Sequence, residues 1–111
     1  MNQMIIEGNA CGDPKPEQSL TGSGIAILKV SVAIETKRSY KDASGEVKEE
    51  TSCYKVVAFG EMAEAVVKNW KEGKSVRIVG RLKQERWKNL DGRDNSEVVV
   101  IAEHIEFKKA A

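Results

Sequence analysis

The sequence predicts an all-β domain, a five-stranded Greek-key barrel with one α-helix between its third and fourth strands. Three observations favour this fold class. Apolar and polar residues alternate along most of the chain, which is the period of a half-buried strand. One segment has the spacing of an amphipathic helix, and Gly, Pro, Asn and Asp cluster between the segments. At 111 residues, the chain is expected to form a single domain over residues 1 to 111.

The first two strands are predicted on either side of turn-rich stretches. Residues 3 to 8 alternate weakly, and the Cys11–Pro16 run after them predicts an irregular connection because it contains two prolines. A second turn is expected at Ser19–Gly24. Residues 24 to 36 alternate strongly and predict a long strand whose inward residues are Ala26, Leu28, Val30, Val32 and Ile34.

Residues 37 to 50 are almost wholly polar and predict a protruding hairpin loop or ribbon between the second and third strands. Tyr40 stands out there because it is an aromatic residue beside Lys37, Arg38 and Lys41. The third strand is predicted over residues 51 to 60. One face of that strand carries Thr51, Cys53, Lys55, Val57 and Phe59.

Residues 61 to 72 change to a helical period. Met62, Val66 and Trp70 recur at four-residue steps and predict a helix with one apolar face. Trp70 lies on this face and is therefore expected to pack in the core. Gly73 follows as the expected C-cap.

The stretch from Ser75 to Asn89 predicts a fourth strand with two different faces. Its core face would carry Val76, Ile78, Gly80 and Leu82. Its other face carries three cations and a large ring, a combination that suits phosphates and the faces of bases: Arg77, Arg81, Lys83 and Trp87. The turn Asn89–Gly92 then leads to a fifth strand, predicted over residues 97 to 107. This order of elements is that of the OB-fold, which binds oligonucleotides or oligosaccharides.

Composition excludes several function classes. The net charge is +1, so only the distribution of charge can indicate a nucleic-acid partner. Cys11 and Cys53 are far apart, and with His104 as the single histidine no four-ligand zinc site can be built from Cys and His. We expect two free thiols, with a disulfide as the alternative, and neither a metal nor a cofactor. The sequence contains no phosphate loop or nucleophile motif, and His104 is expected to be structural rather than catalytic.

No targeting or membrane-spanning segment is visible in the sequence. The expected location is therefore a bacterial cytoplasm, in association with the nucleoid. A mitochondrial protein that has lost its leader would look the same.

Five short motifs follow one another along nearly the whole chain. The first loop carries GN and DP at residues 8–9 and 13–14, and the second strand reads TGSGIAILKVSVA. The third strand and helix start read EETSCYKVVAFGEMAE, the fourth strand reads EGKSVRIVGRLKQERW, and the chain closes with AEHIEF at residues 102–107. In this order, and without large gaps, these motifs resemble those of the bacterial-type single-stranded DNA-binding proteins. Their order and spacing make the resemblance specific.

The resemblance implies a non-catalytic protein that wraps single strands, usually as a homotetramer, in replication, recombination and repair. Bases would stack on three aromatic residues, Tyr40, Phe59 and Trp87. Phosphates would be neutralised by Lys55, Arg77, Arg81, Lys83 and Arg86, and the loop cations Lys37 and Arg38 are further candidates.

The sequence departs from the family pattern at several positions. Cys53 stands where many members have a stacking Trp, Tyr54 replaces a His near subunit contacts, and Glu61, Glu72 and Glu85 lie at or near positions that are often basic. No Gly/Pro/Gln-rich linker or acidic tip follows Phe107, which makes recruitment of replication and repair proteins doubtful. An accessory or protein-interaction module of the primosome type is therefore kept as the alternative function. RNA is kept as an alternative ligand, because stacking does not read the sugar.

Overall fold

The structure is a computed structural model that describes residues Met1–Lys108. It contains five strands and one helix: β1 (Met4–Leu20), β2 (Ala26–Lys41), β3 (Val47–Phe59), α1 (Gly60–Asn69), β4 (Ser75–Lys88) and β5 (Asp94–Phe107). This is the predicted order, with the helix between the third and fourth strands. The predicted end of the domain, residue 111, lies outside the described residues.

The five strands form a closed barrel in the order β1-β2-β3-β5-β4. All neighbouring strands are antiparallel except β3 and β5, which pair in parallel through Val56 with Val100 and Val57 with Ile101. Closure gives each barrel strand a partner on both sides for part of its length, so the barrel itself leaves few unpaired backbone groups.

The core lies inside the barrel and under α1. Alternate residues of every strand supply it, because successive side chains on a strand point to opposite faces. The helix contributes Ala63 and Val66, and Trp70 follows at its C-cap. Trp70 is 4% exposed and meets the ring of Phe107 edge to face at a centroid distance of 6.4 Å, so it is a core residue as predicted. The buried strand residues of this core are Ile6, Ala10, Val30, Val32, Ile34, Val56, Ala58, Val76, Ile78, Val100 and Ala102.

β1 is longer than the sequence pattern predicts. The expected irregular connection at Cys11–Pro16 belongs to the strand, whose pairing with β2 shifts register between Cys11 and Lys15. The prolines are tolerated because β1 pairs with β4 only from Met4 to Asn9. Pro14 and Pro16 lie beyond this pairing, so no β4 carbonyl is left without the N–H that a proline cannot donate. Gly12 adopts a left-handed φ of 63° within this irregularity.

Two pairs of strands continue beyond the barrel as ribbons. The β2–β3 pairing runs without interruption from Lys29–Phe59 to Lys41–Val47, so the segment predicted as a loop or ribbon is a ribbon. The β4–β5 pairing extends to Lys88–Asp94, where the turn begins. We call these extensions the β2–β3 ribbon (residues 37–51) and the β4–β5 ribbon (residues 81–98).

The helix ends earlier than predicted. Its C-cap is Trp70, whose backbone N–H donates to the carbonyl of Val66, and not Gly73. Gly73 instead adopts a left-handed φ of 85° in the following turn, where its N–H donates to the carbonyl of Ala10 at 2.8 Å. The expected C-cap was therefore wrong, because this glycine serves a connection to β1. In the part of the chain that the structure describes, α1 is neither long nor apolar enough to cross a membrane.

Candidate nucleic-acid interface

A second, smaller apolar cluster lies outside the barrel core. Val57, Val99 and Ile101 are 0%, 1% and 6% exposed. They lie on the outer face of the barrel, because they alternate along their strands with Val56 and Val100, which point into the core. Phe59 packs against this cluster and remains half-buried. Neighbouring side chains therefore cover these three residues on the outer face of the barrel. Together with the depression of about 350 Å³ beside Phe59, this apolar strip forms a shallow groove.

β4 lines one wall of the groove with basic and aromatic side chains. In the β4–β5 register, Arg81 lies opposite Ile101, Lys83 opposite Val99, and Trp87 opposite Asn95. Residues paired in register point to the same face of a sheet, so these three side chains share the outer face with the floor. Trp87 is 45% exposed. We call this surface the outer groove, defined by Val57, Phe59, Arg81, Lys83, Trp87, Val99 and Ile101.

The two cations of this wall form no ion pair with any described residue. Within Met1–Lys108, neither Arg81 nor Lys83 has a carboxylate oxygen within 4.0 Å. Lys83 lines a depression of about 350 Å³ together with Lys29, Phe59 and Glu85. Uncompensated cations beside an apolar, partly water-excluded floor attract anions more strongly than the same charges in open solvent.

Two other residues that were predicted to contact phosphate, Lys55 and Arg77, form ion pairs with carboxylates instead. Lys55 Nζ lies 3.6 Å from Glu97 Oε2. Arg77 Nε lies 3.6 Å from Glu7 Oε1, and its Nη1 lies 4.0 Å from Glu106 Oε2. Arg77 shares the outward parity of Arg81, but it lies between β1 and the end of β5, four residues from the groove wall.

The predicted residues of the β2–β3 ribbon lie apart from the outer groove. By strand register, Tyr40 and Arg38 share the face of β2 that carries Ile34, whereas Lys37 has the outward parity. Lys37 Nζ contacts the carboxylates of Glu35 at 3.7 Å and Glu49 at 4.0 Å. The structure thus brings Phe59, Trp87, Arg81 and Lys83 together, and places Tyr40 and Arg38 on the opposite face.

Arg86 has the opposite parity to Trp87 on β4. Its Nη2 donates to Gln84 Oε1 at 2.9 Å, which holds the guanidinium along its own strand. The side chain borders both the space beside Trp87 and the depression at Phe59. Arg86 is therefore close to the outer groove, but it does not share the face of β4 that carries Arg81, Lys83 and Trp87.

Sequence reasoning missed the groove floor and Lys29. The VVVIA segment of β5 is apolar on both faces, and this pattern alone does not distinguish a barrel core from a covered outer face. Alternation along β2 gives Lys29 the outward parity, but only the pairing of Lys29 with Phe59 across β2 and β3 places it beside an aromatic candidate.

A polar cluster lies on the same side of β2. Cys11 Sγ approaches Glu35 Oε2 at 3.6 Å, and Cys53 is close to both groups. Both cysteines are free thiols. Burial raises the pKa of the Cys11 thiol, and the neighbouring Glu35 and Cys53 raise it further. The cluster borders a cavity of about 780 Å³ that also contains Lys55 and Glu97.

Comparison with known proteins gives a consistent result. The profile of the Single-strand binding protein family matches residues 1–108. A single-stranded DNA-binding protein of Aquifex aeolicus is 34% identical over 107 residues, covering 96% of this chain and 69% of the relative.

Two solved structures share the fold. A deletion mutant of the single-stranded DNA binding protein from Thermus aquaticus matches with a TM-score of 0.76 and 26% identity, over 98% of this chain and 51% of that chain. A Plasmodium falciparum protein in complex with single-stranded DNA matches with a TM-score of 0.77 and 16% identity, over 98% and 96% of the two chains.

The chain belongs to the Single-strand binding protein family. The resemblance and the five-stranded OB-fold predicted from the sequence are both confirmed. The chain spans about half the length of the Thermus aquaticus protein that it matches.

Proposed function

We propose that this protein binds single-stranded DNA without strong sequence preference and protects it during replication, recombination and repair. The observation that carries the proposal is the outward row of β4, where Arg81 and Lys83 have no carboxylate partner among residues 1–108 and Trp87 is exposed, beside an apolar strip. Cations neutralise phosphates of any sequence, and every base has a face on which an aromatic ring can stack. Membership of the family, together with the name of its Aquifex aeolicus relative, supports DNA as the ligand.

The proposed binding residues fall into two groups by their surroundings. Phe59 would provide a stacking platform beside Lys83, and Trp87 a second platform farther along β4, on the face that also carries Arg81. The remaining proposed contacts lie at the margins or on the β2–β3 ribbon and would require a strand that wraps around the domain: Lys37, Arg38, Tyr40, Lys55, Arg77 and Arg86. The ion pairs of Lys37, Lys55 and Arg77 would have to open before these cations could neutralise phosphate.

Binding of this kind makes and breaks no covalent bond, so we infer that the protein acts without catalysis and without a cofactor of its own. The proposed location is the compartment that holds the DNA, the bacterial cytoplasm. The alternative of an accessory interaction module of the primosome type loses support because Arg81, Lys83 and Trp87 are exposed and, within the described part of the chain, the two cations have no carboxylate partner.

We further propose that the protein assembles as a homo-oligomer, with a homotetramer as the family resemblance implies. Four large apolar side chains lie exposed around one depression: Ile5, Tyr54, Leu82 and Val98. Contiguous apolar patches of this kind are typical of subunit contacts. Leu82, which the sequence pattern placed in the core, belongs to this patch because β4 has left the barrel at this point.

A titration with fluorescein-labelled oligo-dT at two salt concentrations tests the proposed ligand. We expect micromolar or tighter binding at low salt, a marked loss of affinity at higher salt because counterions are released, and little binding to a duplex of equal length. Equal affinity for duplex, or no binding to oligo-dT at low salt, would favour the interaction-module alternative. An oligo-U titration in parallel determines whether RNA is also a ligand.

Sedimentation tests assembly separately. The wild-type protein is expected to sediment as an oligomer, and Leu82→Glu to sediment as a smaller species with an unchanged circular dichroism spectrum. A monomeric wild-type protein that still binds oligo-dT would overturn the proposed assembly and leave the proposed ligand intact.

A further inference from the structure

Three potential metal ligands converge beside the outer groove although they are distant in sequence. Cys11 pairs with Ala33 in the β1–β2 register, and Cys53 pairs with Glu35 in the β2–β3 register. The two thiols therefore flank β2 from opposite sides, and Glu35 projects between them. One ligand atom from each residue lies within 4.8 Å of the other two.

The spacing of these atoms is compatible with a shared metal ion. Sulfur and oxygen ligands at about 2.3 Å and 2.1 Å from a tetrahedral zinc ion lie about 3.6 Å apart. The Cys11 thiol donates a hydrogen bond to Glu35 Oε2 at an S···O distance of 3.6 Å, which is also this ligand-to-ligand distance.

A disulfide fits the same residues poorly. Cys11 and Cys53 are separated by two interstrand spacings, about 9.5 Å between backbones, because β2 lies between their strands. A disulfide requires Cα atoms within about 7 Å. Forming one would therefore require β1 or β3 to move, whereas a metal ion lengthens the bridge between the two sulfur atoms.

We propose that Cys11, Glu35 and Cys53 form a binding site for a thiophilic divalent cation, with zinc as the best match. Two thiolates and a carboxylate suit zinc, and they leave a fourth position for water or a ligand on the solvent side. Binding would release the two thiol protons: two Cys–SH groups and one M²⁺ give two metal-bound thiolates and two H⁺. The sequence predicts no metal when only Cys and His are counted as ligands, and the proposed site departs from that expectation. Only the fold brings the carboxylate of Glu35 to the two thiols.

The surroundings permit an ion to enter. Cys53 is exposed and Cys11 is half-buried at the edge of a cavity of about 780 Å³. Glu35 uses its Oε1 atom to contact Lys37 at 3.7 Å, while Oε2 faces Cys11. Lys37 is thus the neighbouring cation that an arriving metal ion would have to outcompete.

Titration of the reduced full-length protein with Co²⁺, in the absence of DNA, tests this site. We expect the near-ultraviolet absorption of thiolate–Co²⁺ charge transfer together with the visible bands of tetrahedral Co²⁺, both removed by adding Zn²⁺. The charge-transfer absorption should fall to roughly half or less in Cys53→Ser, because one of two thiolates is lost. It should also weaken in Glu35→Gln.

Glu49→Gln is the matched control for Glu35→Gln, because Glu49 also pairs with Lys37 but lies outside the cluster. This variant should keep the wild-type Co²⁺ spectrum. Zn²⁺ should also raise the melting temperature of the wild type and of Glu49→Gln, but not that of Cys53→Ser. Cys53 is exposed, so this substitution should leave the circular dichroism spectrum unchanged.

Three results would overturn the proposal. They are a wild-type Co²⁺ spectrum without thiolate absorption, full absorption in Cys53→Ser, and rapid formation of an intramolecular Cys11–Cys53 disulfide in air that Zn²⁺ does not slow. The last result would identify the pair as a redox couple. None of them bears on oligo-dT binding, so failure of this site leaves the proposed function intact.

Discussion

The two ribbons that extend from the barrel have similar backbones but pair their lysines and arginines differently. In the β2–β3 ribbon, Lys37 pairs with Glu35 and Glu49, and Lys48 pairs with Asp42 at 3.5 Å. In the β4–β5 ribbon, as far as the structure describes it, Arg81 and Lys83 have no carboxylate partner, although Arg93 in its turn pairs with Asp91 at 3.5 Å. The outward lysine of β2 at position 37 is therefore neutralised, whereas the outward cations of β4 next to the barrel remain available.

This difference explains how a chain with a net charge of +1 can offer an anion-binding surface. The acidic residues are concentrated beside certain cations, so total charge underestimates the local potential along β4. Aromatic residues follow the same division. Trp87 shares a face with free cations, whereas Tyr40 lies on the face opposite to Lys37.

The largest predicted effect concerns the point where the β4–β5 ribbon leaves the barrel. The β4–β5 register shifts between Val79 and Gly80, and a Cβ atom added at Gly80 would overlap the backbone carbonyl of Ile101. A backbone atom cannot move aside like a flexible side chain. We therefore expect Gly80→Ala to lower the free energy of unfolding by about 3 kcal/mol, measured by urea denaturation.

Gly22→Ala is the matched control, because a Cβ atom there meets no atom within 4 Å and the backbone has no positive φ. It should change the free energy of unfolding by about 0.5 kcal/mol or less. If Gly80→Ala proved equally mild, the close approach of β4 to β5 would not fix the position of this ribbon.

The second prediction compares the aromatic residues of the two ribbons. Trp87→Ala should weaken oligo-dT binding by about 1–3 kcal/mol, roughly 5- to 150-fold, because a stacking platform is lost. It should also remove most of the fluorescence quenching by DNA, since the remaining Trp70 is buried. Unfolding should be little changed. Tyr40→Ala should have a smaller effect, and an equal loss for both variants would show that the strand engages both ribbons.

The third prediction compares free cations with paired ones. Replacing Arg81 and Lys83 by Gln should reduce the slope of log K against log salt by about 1.4, since each single-strand phosphate contact contributes about 0.7. Replacing Lys37 and Lys48 by Gln should alter the slope less, because carboxylates already neutralise these lysines. Both double variants lose the same formal charge. Equal slopes would mean that net charge, rather than its arrangement, controls binding.

The smallest predicted effect is at the turn of the β2–β3 ribbon. The Ser44 hydroxyl donates to Asp42 Oδ1 at 2.6 Å, and the backbone N–H groups of Ser44 and Glu46 donate to the same atom. The Ser44 hydroxyl bond is the main cause that lowers the pKa of Asp42 below its ordinary value of 3.8, with smaller contributions from the backbone donors and Lys48.

Because the folded pKa of Asp42 is lowered, its stabilising contribution is present above pH 3.8 and is lost as pH falls through the folded value. In an NMR titration, the Ser44 and Glu46 amide resonances should therefore shift together below pH 3.8. Asp42→Asn should remove this transition while leaving the β4–β5 ribbon resonances unchanged. A transition centred above pH 3.8 would contradict the assigned cause.

Local patterns predicted most of this fold because each one reports a local interaction. The alternation in β2 and the four-residue steps of α1 each reflect burial of one face. Both elements lie in the predicted parts of the chain, although α1 ends earlier and β2 ends later than predicted. The extension of β1 through Pro16 could not be predicted, since it depends on β1 having no β4 partner at that point. The exposure of Leu82 likewise depends on where β4 leaves the barrel.

The candidate site was predicted in part for the same reason. Alternation along β4 placed Trp87 on the same face as Arg81 and Lys83, because every second residue of a strand points to the same side of the sheet. Tyr40 and Phe59 were assigned from separate segments, and only strand register shows that they lie on opposite faces of the sheet. The Cys11–Glu35–Cys53 cluster needs the order of three strands, which no local pattern contains.

The parallel contact between β3 and β5 has a consequence for how the molecule is made. Val56 emerges from the ribosome long before Val100, its partner, and their pairing is short. Until β5 arrives, the growing chain presents β3 as an open template for other strands. A chain that terminates before β5 should therefore aggregate rather than fold into a smaller functional domain.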